Sequence, residues 1–323
     1  MDTGIDGIDV LYDVLCIGEM VIDFTPGREE ASYIRHAGGA PANVAISVAR
    51  MGGKAAFCGR VGDDLFGGYL LGVLRDNGVV LCGGGPTADA VTTMTFVTLT
   101  ADGNRSFTFA QKTGAHLFLK EEDITADMIK RTRIVHTGSS ILCGGTAPAA
   151  ALRAVTLAKE QGRLVSFDLN YRALQWKSPK DCHDQVAKIL PFVDCLKVSN
   201  EEAFLFGGEE ELPNIMRQFD IPLLVLTRGA GPGTVFFNNK RWHRPSVRSG
   251  AVDTTGAGDA FWGVFLHTLV SRGVVTREDI AEPYLVEALK RAMAAGELAI
   301  LKPGAIDSLP AKQQVDEALA LYE

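Results

Sequence analysis

The segment Asp253-Thr254-Thr255-Gly256-Ala257-Gly258-Asp259 runs directly into the apolar stretch Ala260-Phe261-Trp262-Gly263-Val264-Phe265-Leu266. A short glycine-containing loop that enters a helix leaves the first backbone N–H groups without intrahelical partners. Those groups and the helix dipole make an anion site that needs no basic side chain. An aspartate at the same mouth repels a bound anion, so Asp259 must have its own task. One task is to accept a proton from a hydroxyl that attacks a phosphoryl group. The other is to cap the helix, as Asp often does. For Asp259 alone the cap is the simpler reading; with Gly256, Ala257 and Gly258 beside it, phosphoryl chemistry is the stronger one.

A second constellation is Gly38-Gly39-Ala40-Pro41-Ala42-Asn43. Paired glycines before a helix, with Pro near its first turn, let a ligand approach the backbone, and Asn43 offers both a donor and an acceptor. Taken alone, such a pair is often only a turn. Gly59-Arg60-Val61-Gly62-Asp63-Asp64-Leu65-Phe66-Gly67 follows, and Asp64 there reads as an N-cap rather than a catalytic acid. The chain has no G-x-x-x-x-G-K-[ST], no G-x-G-x-x-G and no H-E-x-x-H. The six histidines show no metal-ligand spacing, so structural or surface roles are expected for them.

These loops need a scaffold, and short apolar runs alternating with helical patterns supply one of βαβ type. Strands are expected at Val14–Gly18, Ile134–Thr137, Leu164–Asp168, Val193–Val198 and Leu223–Thr227. Helices are expected at Ala42–Met51, Leu65–Asn77, Pro148–Gln161 and Glu201–Phe206, from Asp259 through Leu269, and at Pro283–Leu301. Two stretches break that rhythm. Val91–Ala110 alternates about Asp102-Gly103 and reads as a hairpin, and Val21–Ala37 lacks a helical period. Together they form a small sheet projecting from the main domain, an insertion rather than a separate half.

Composition bounds the partners. The 323 residues carry 32 Lys and Arg against 39 Asp and Glu, a formal net charge of −7. That balance argues against nucleic acid, which calls for clustered cations. No apolar run approaches the roughly 18 residues of a membrane span, and Met1 to Tyr12 lack the basic start of a secretory signal. The six cysteines are scattered without a C-x-x-C pair, as expected for reduced thiols in a cytoplasmic protein.

The segments GGAPAN and GRVGDDLFGG, with DTTGAGDAFWG some two hundred residues later, resemble the paired signatures of the PfkB (ribokinase-like) carbohydrate kinases. Ile17-Gly18-Glu19-Met20-Val21-Ile22-Asp23-Phe24, Asp168-Leu169-Asn170-Tyr171-Arg172 and Val252-Asp253-Thr254-Thr255 are similar to the fructokinase branch. The resemblance covers about residues 13–310. It implies a single α/β kinase domain over 1–323, with a mostly parallel sheet flanked by helices and a small β-sheet lid inserted from about 21–37 and 91–112. It further implies ATP-dependent phosphorylation of a sugar hydroxyl, fructose first, with Mg²⁺, and K⁺ where the cation loops are kept.

Carried over by residue, Asp259 matches the family's base and Gly256, Ala257 and Gly258 its anion hole. Asp23, Gly38, Gly39 and Asn43 match positions that hold sugar hydroxyls; Arg105 is a lid cation that either contributes to the sugar site or is a solvated turn charge. Arg172, Ser199, Thr227 and Gly229 match the ATP side, together with Gly256 and Gly258. Glu202 matches the acid of the N-x-x-E motif that organises Mg²⁺, directly or through water. Asp253, Thr255, Ala299, Lys302, Gly304 and Ser308 match the loops that hold a monovalent cation. Two departures stand out: Ser199 replaces the motif's Asn, with Asn200 adjacent, and Ala110-Gln111 replaces a common aromatic-Arg pair on the lid. The second bears on which sugar is taken, because Gln cannot copy an Arg fork. The alternatives are a kinase for 2-keto-3-deoxygluconate or a nucleoside, for which Arg105 or Lys112 would supply a lid cation, and a non-catalytic sugar- or nucleotide-binding regulator. An α/β oxidoreductase loses ground without a dinucleotide fingerprint. An exposed lid edge fits a homodimer through that sheet.

Overall fold

The computed structural model describes residues 10–27, 29, 31–99, 105–111, 113–246 and 250–321. Thirteen strands make two sheets: β1 (Tyr12–Ile17), β2 (Val21–Pro26), β3 (Tyr33–Gly38), β4 (Ala55–Gly62), β5 (Val80–Thr87), β6 (Thr93–Leu99), β7 (Arg105–Phe109), β8 (Thr132–Gly138), β9 (Leu164–Asp168), β10 (Cys195–Ser199), β11 (Leu223–Thr227), β12 (Gly233–Phe237) and β13 (Lys240–Arg244). The larger sheet has nine strands in the order β13-β12-β11-β10-β9-β8-β1-β4-β5. It is parallel from β5 to β11 and ends in the antiparallel pair β12–β13. From β1 the chain builds outward through β4 and β5, then returns to the other side of β1 with β8. The strand order therefore reverses beside β1, and in open α/β sheets ligands bind at the carboxyl ends of strands flanking such a switch point.

The helices are α1 (Ala40–Arg50), α2 (Leu65–Asp76), α3 (Ala126–Lys130), α4 (Ala147–Glu160), α5 (Pro179–Val186), α6 (Leu212–Gln218), α7 (Ala257–Ser271), α8 (Glu282–Ala299), α9 (Ala305–Ser308) and α10 (Lys312–Ala320). They cover both faces of the large sheet, as a parallel sheet requires. The period-two geometry of β1 shows the division: Val14 and Cys16 join the core under α1, α2, α7 and α8, while Leu15 and Ile17 join the core under α4. The cysteines are free, and Cys16, Cys58 and Cys195 are buried within strands.

The smaller sheet runs β3-β2-β6-β7, with β2 antiparallel to β3, parallel to β6, and β6 antiparallel to β7. Its strands leave the large sheet just past the carboxyl ends of β1 and β5, so it stands over the switch point. The Asp102-Gly103 turn expected between β6 and β7 lies outside the described residues, as does Lys112.

Local expectations differ from the fold in places with physical reasons. The Glu201–Phe206 segment is a short 3-10 turn at Ala203–Phe206, ended by Gly207 in the left-handed conformation, rather than an α-helix. The strand expected at Val193–Val198 begins only at Cys195, because the Val193 N–H still bonds back into the preceding turn at the Leu190 carbonyl. Strand β5 and the hairpin β12–β13 carry no alternation strong enough to reveal them, since glycines and charged residues interrupt the apolar positions of each. Asp64 is an N-cap as read, accepting the Gly67 N–H at 2.8 Å and the Thr92 N–H at 2.8 Å.

Candidate active site

Asp259 is the third residue of α7 and is 8 % exposed. It does not cap the helix: Gly256 occupies the cap position with φ 79, a conformation glycine adopts without strain. The Asp259 carboxylate instead faces α1, where the Asn43 amide donates to Oδ2 at 2.8 Å. Burial pushes the Asp259 carboxyl up, while the Asn43 hydrogen bond and the Lys197 and Arg172 charges pull it down. The Ala257 N–H donates to the Thr254 carbonyl at 3.3 Å, whereas the Gly256 and Gly258 amides have no partner among the described residues.

Asp23 sits on β2 between its register partners His36 on β3 and Thr95 on β6. Desolvation pushes its carboxyl up to about 6, against the Arg172 and His36 charges and a hydrogen bond to Thr95. Gly38 leaves the space that this carboxylate needs, since a Cβ there would come 2.6 Å from Asp23 Oδ2. Gly39, with φ 113, packs against the Glu19 carbonyl and Met20 backbone so closely that any side chain collides. The Gly38-Gly39 pair therefore holds the crossing of two chain segments below the small sheet. Asn43 Oδ1 is buried without a partner, so this residue bridges Asp259 on one side and keeps an acceptor on the other.

Glu19 follows β1 at the switch point and is 6 % exposed, accepting the Ala40 N–H at 3.2 Å. Burial pushes it up to about 7, with Asp259 adding to the rise and Arg172 opposing it. Arg172, itself exposed, stands electrostatically among Glu19, Asp23 and Asp259. Neither Glu19 nor Lys197 was singled out for chemistry from the sequence. Each had a signal: a charge inside or at the end of an otherwise apolar strand run.

On the other flank, Ser199 and Thr227 are register partners at the carboxyl ends of β10 and β11. Gly229 follows with φ 51. Glu202 spends both carboxylate oxygens on backbone: one accepts the Ser199 N–H and the other the Tyr171 N–H, each at 2.8 Å. It ties the segment after β9 to the end of β10. Asp253 accepts the Thr255 N–H at 2.8 Å and the Gly304 N–H at 3.0 Å, which brings the loop before α7 against the loop before α9. Ala299 ends α8, Ser308 is buried in α9, and Lys302 is exposed. Among the described residues no group of three or more His, Cys, Asp or Glu could hold a metal ion alone, and no helix is long and apolar enough to cross a membrane.

A cavity of about 370 Å³ lies against β6 and β7, lined in part by Thr93, Gln111, His116, Cys143 and Gln175. Thr93 and Thr95 lie two apart on β6 and share a face, one bonded to His116 Nδ1 at 2.7 Å and the other to Asp23. Burial holds His116 down to about 4, so the ring is neutral at neutral pH. Gln111 donates to the Thr92 carbonyl at 2.8 Å. Arg105 begins β7, but its side chain lies outside the described residues.

Comparison with known proteins follows this geometry. The pfkB family carbohydrate kinase description matches residues 12–312. The chain is 39 % identical over 312 residues to fructokinase-1 of Oryza sativa subsp. japonica, covering 94 % of this chain and 96 % of that one. A fructokinase with bound ATP from Xylella fastidiosa superposes with a TM-score of 0.90 at 30 % identity, over 96 % of this chain and 98 % of that chain. A fructokinase from Vibrio cholerae O395, in fructose, ADP and calcium ion bound form, gives a TM-score of 0.86 at 33 % identity, over 96 % of this chain and the whole of the other.

Proposed function

The chain belongs to the pfkB family of carbohydrate kinases, and from that premise we propose that it transfers the γ-phosphoryl group of ATP to fructose, giving fructose 6-phosphate. The observation that carries the reading is the buried Asp259 carboxylate at the N-terminus of α7, oriented by Asn43 beneath the small sheet. Asp23 and the free acceptor of Asn43 receive sugar hydroxyls, and the reacting hydroxyl comes to Asp259. Asp259 takes its proton as the oxygen attacks phosphorus. Negative charge developing on the transferred group is met by the Gly256 and Gly258 amides and the helix dipole. Closure of the small sheet over the sugar excludes water and limits hydrolysis of ATP.

ATP lies along the carboxyl ends of β10 and β11, by Ser199, Thr227 and Gly229, with Arg172 toward the phosphates. Mg²⁺ accompanies the phosphates and neutralises part of their charge; its habit of keeping several waters suits Glu202, whose oxygens are committed to backbone amides. A monovalent cation fits the paired loops that Asp253 fastens together, where Thr255, Ala299, Gly304 and Ser308 contribute oxygens and the charge strengthens the adjacent anion site. Work in the cytoplasm and self-association through the small sheet go with this reading; Tyr33 and Ile34 on its edge strand are 49 % and 51 % exposed.

Fructose is placed before a sugar acid on the likeness to fructokinases, one of them in a fructose-bound form. The test is ADP release from Mg·ATP over a panel of sugars, sugar acids and nucleosides. Fructose is expected to give the highest kcat/KM. Preference for 2-keto-3-deoxygluconate or a nucleoside would displace fructose, and no turnover on any member would favour a binding regulator.

A further inference from the structure

Two negative groups converge on the N-terminus of α7, the Asp259 carboxylate and, in the proposed reaction, the phosphoryl group. A buried site tolerates such a pair only beside a compensating positive charge. Lys197 is the buried cation that lies there. It projects from the middle of β10, is 5 % exposed, and donates to Asp168 Oδ2 at 2.8 Å. Its ammonium abuts Gly258 so closely that a Cβ at that position would come 3.4 Å from Nζ. Arg172, the other cation of the site, is exposed, and water screens its charge.

We propose that Lys197 is a positioning residue for phosphoryl transfer: fixed by Asp168 and seated against Gly258, its ammonium lets an ionised Asp259 and an anionic phosphoryl group share one helix N-terminus. The proposal rests on the kinase reading above and assigns the charge balance of that same site. The groups around the ammonium support it. Asp168 on β9, Glu202 after β10 and Asp259 on α7 all face it and hold its pKa up against burial. His136 on β8 also faces it and is pushed down to about 3, so it remains neutral. Asp259 in turn is faced by Lys197, by Asn43 on α1 and by Arg172, and it raises Glu19 after β1 and Asp168 on β9. Of these partners only Asp168 is within hydrogen-bond reach of Lys197. Asp168 Oδ1 has no partner, so the pair is not a closed structural ion pair.

The test compares the native enzyme with Lys197→Met and with Lys197→Met/Asp168→Asn. The double variant replaces the buried ion pair by a neutral one and so preserves the fold where the single variant strands a buried carboxylate; thermal melting checks both. In the double variant kcat is expected to fall about 100-fold while the fructose KM changes less than about threefold, because the lost interaction acts on the transition state. Asp168 also faces Asp259 as a like charge, so the pH comparison is with Asp168→Asn: removing the Lys197 charge on that background raises the Asp259 pKa, and the acid limb of the kcat–pH profile moves up by about one unit. A folded double variant with kcat within about threefold of native and an unmoved acid limb would overturn the proposal. If the native enzyme releases no ADP with any sugar, the kinase reading fails separately. The hold of Lys197 on Asp259 is then read by ¹³C NMR of the Asp259 carboxyl, assigned with Asp259→Asn: a titration higher in the double variant than in Asp168→Asn supports the charge balance at this helix N-terminus, and an equal one refutes it.

Discussion

Asn43 and Asp259 are 216 residues apart in the chain, yet the Asn43 amide donates to the Asp259 carboxylate at 2.8 Å inside the protein. The contact joins the first turns of α1 and α7, the two helices that follow the glycine-containing loops of the sequence. It fixes the carboxylate rotamer and favours its ionised form. A general base needs both properties.

Asp259→Asn keeps the shape of this contact and removes the base. Its kcat is expected to fall by at least about 100-fold, the lower range of general-base assistance. Fructose binding, measured by calorimetry, should persist. Near-normal turnover would remove Asp259 from the reaction.

Asn43→Ala leaves the base in place but unoriented. The kcat should drop by about tenfold, as expected for a lost hydrogen bond to a charged group of about 1.5–3 kcal/mol. The acid limb of the pH profile should shift upward, because the bond that favoured the carboxylate is gone. The fructose KM should also rise, since Asn43 Oδ1 is the free acceptor offered to the sugar.

Buried carboxylates also set how stability follows pH. Burial pushes Glu19 up to about 7 from its ordinary 4.5, and Asp23 to about 6 from 3.8. A folded-state pKa above the unfolded one favours the fold below the unfolded pKa, and that contribution is lost as pH rises through the folded value. The melting temperature of the unliganded protein should therefore fall between about pH 4 and pH 7. Glu19→Gln should flatten the fall, and a variant as steep as the native protein would rule Glu19 out as its source.

Gly39→Ala tests the crossing beneath the small sheet. A positive φ costs an ordinary residue roughly 1–3 kcal/mol, and here the new Cβ also meets the Glu19 carbonyl. Gly52→Ala is the control, for Gly52 has φ 91 with nothing within 4 Å of a Cβ. Denaturant melts should show Gly39→Ala losing clearly more stability than Gly52→Ala. Equal losses would mean that the close approach is relieved elsewhere.

Replacing K⁺ by choline at constant ionic strength tests the paired cation loops. The kcat should fall severalfold and recover on adding K⁺, and Asp253→Ala should abolish that response. An enzyme indifferent to the cation would confine Asp253 to fastening the Thr255 and Gly304 loops.

Much of this was legible in the chain because it is encoded locally. The loop running into Asp259, the Gly38-Gly39 pair and the Asp64 cap depend on backbone groups a few residues apart, and so do the strands Leu164–Asp168 and Leu223–Thr227. Alternation marked β6 and β7 of the small sheet, and the lack of a helical period marked β2 and β3. Other features depend on which strands become neighbours, and no local pattern reports that. The reversal of strand order beside β1 brings Glu19, Asp168 and Lys197 to one edge, and helix packing then brings Asn43 to Asp259. Glu202 kept its expected place, but only the fold shows its oxygens taken by the Ser199 and Tyr171 amides. Residue types and their spacing named the chemistry; the order of the parallel strands decided which charges face one another, because burial and distance set the strength of those charges.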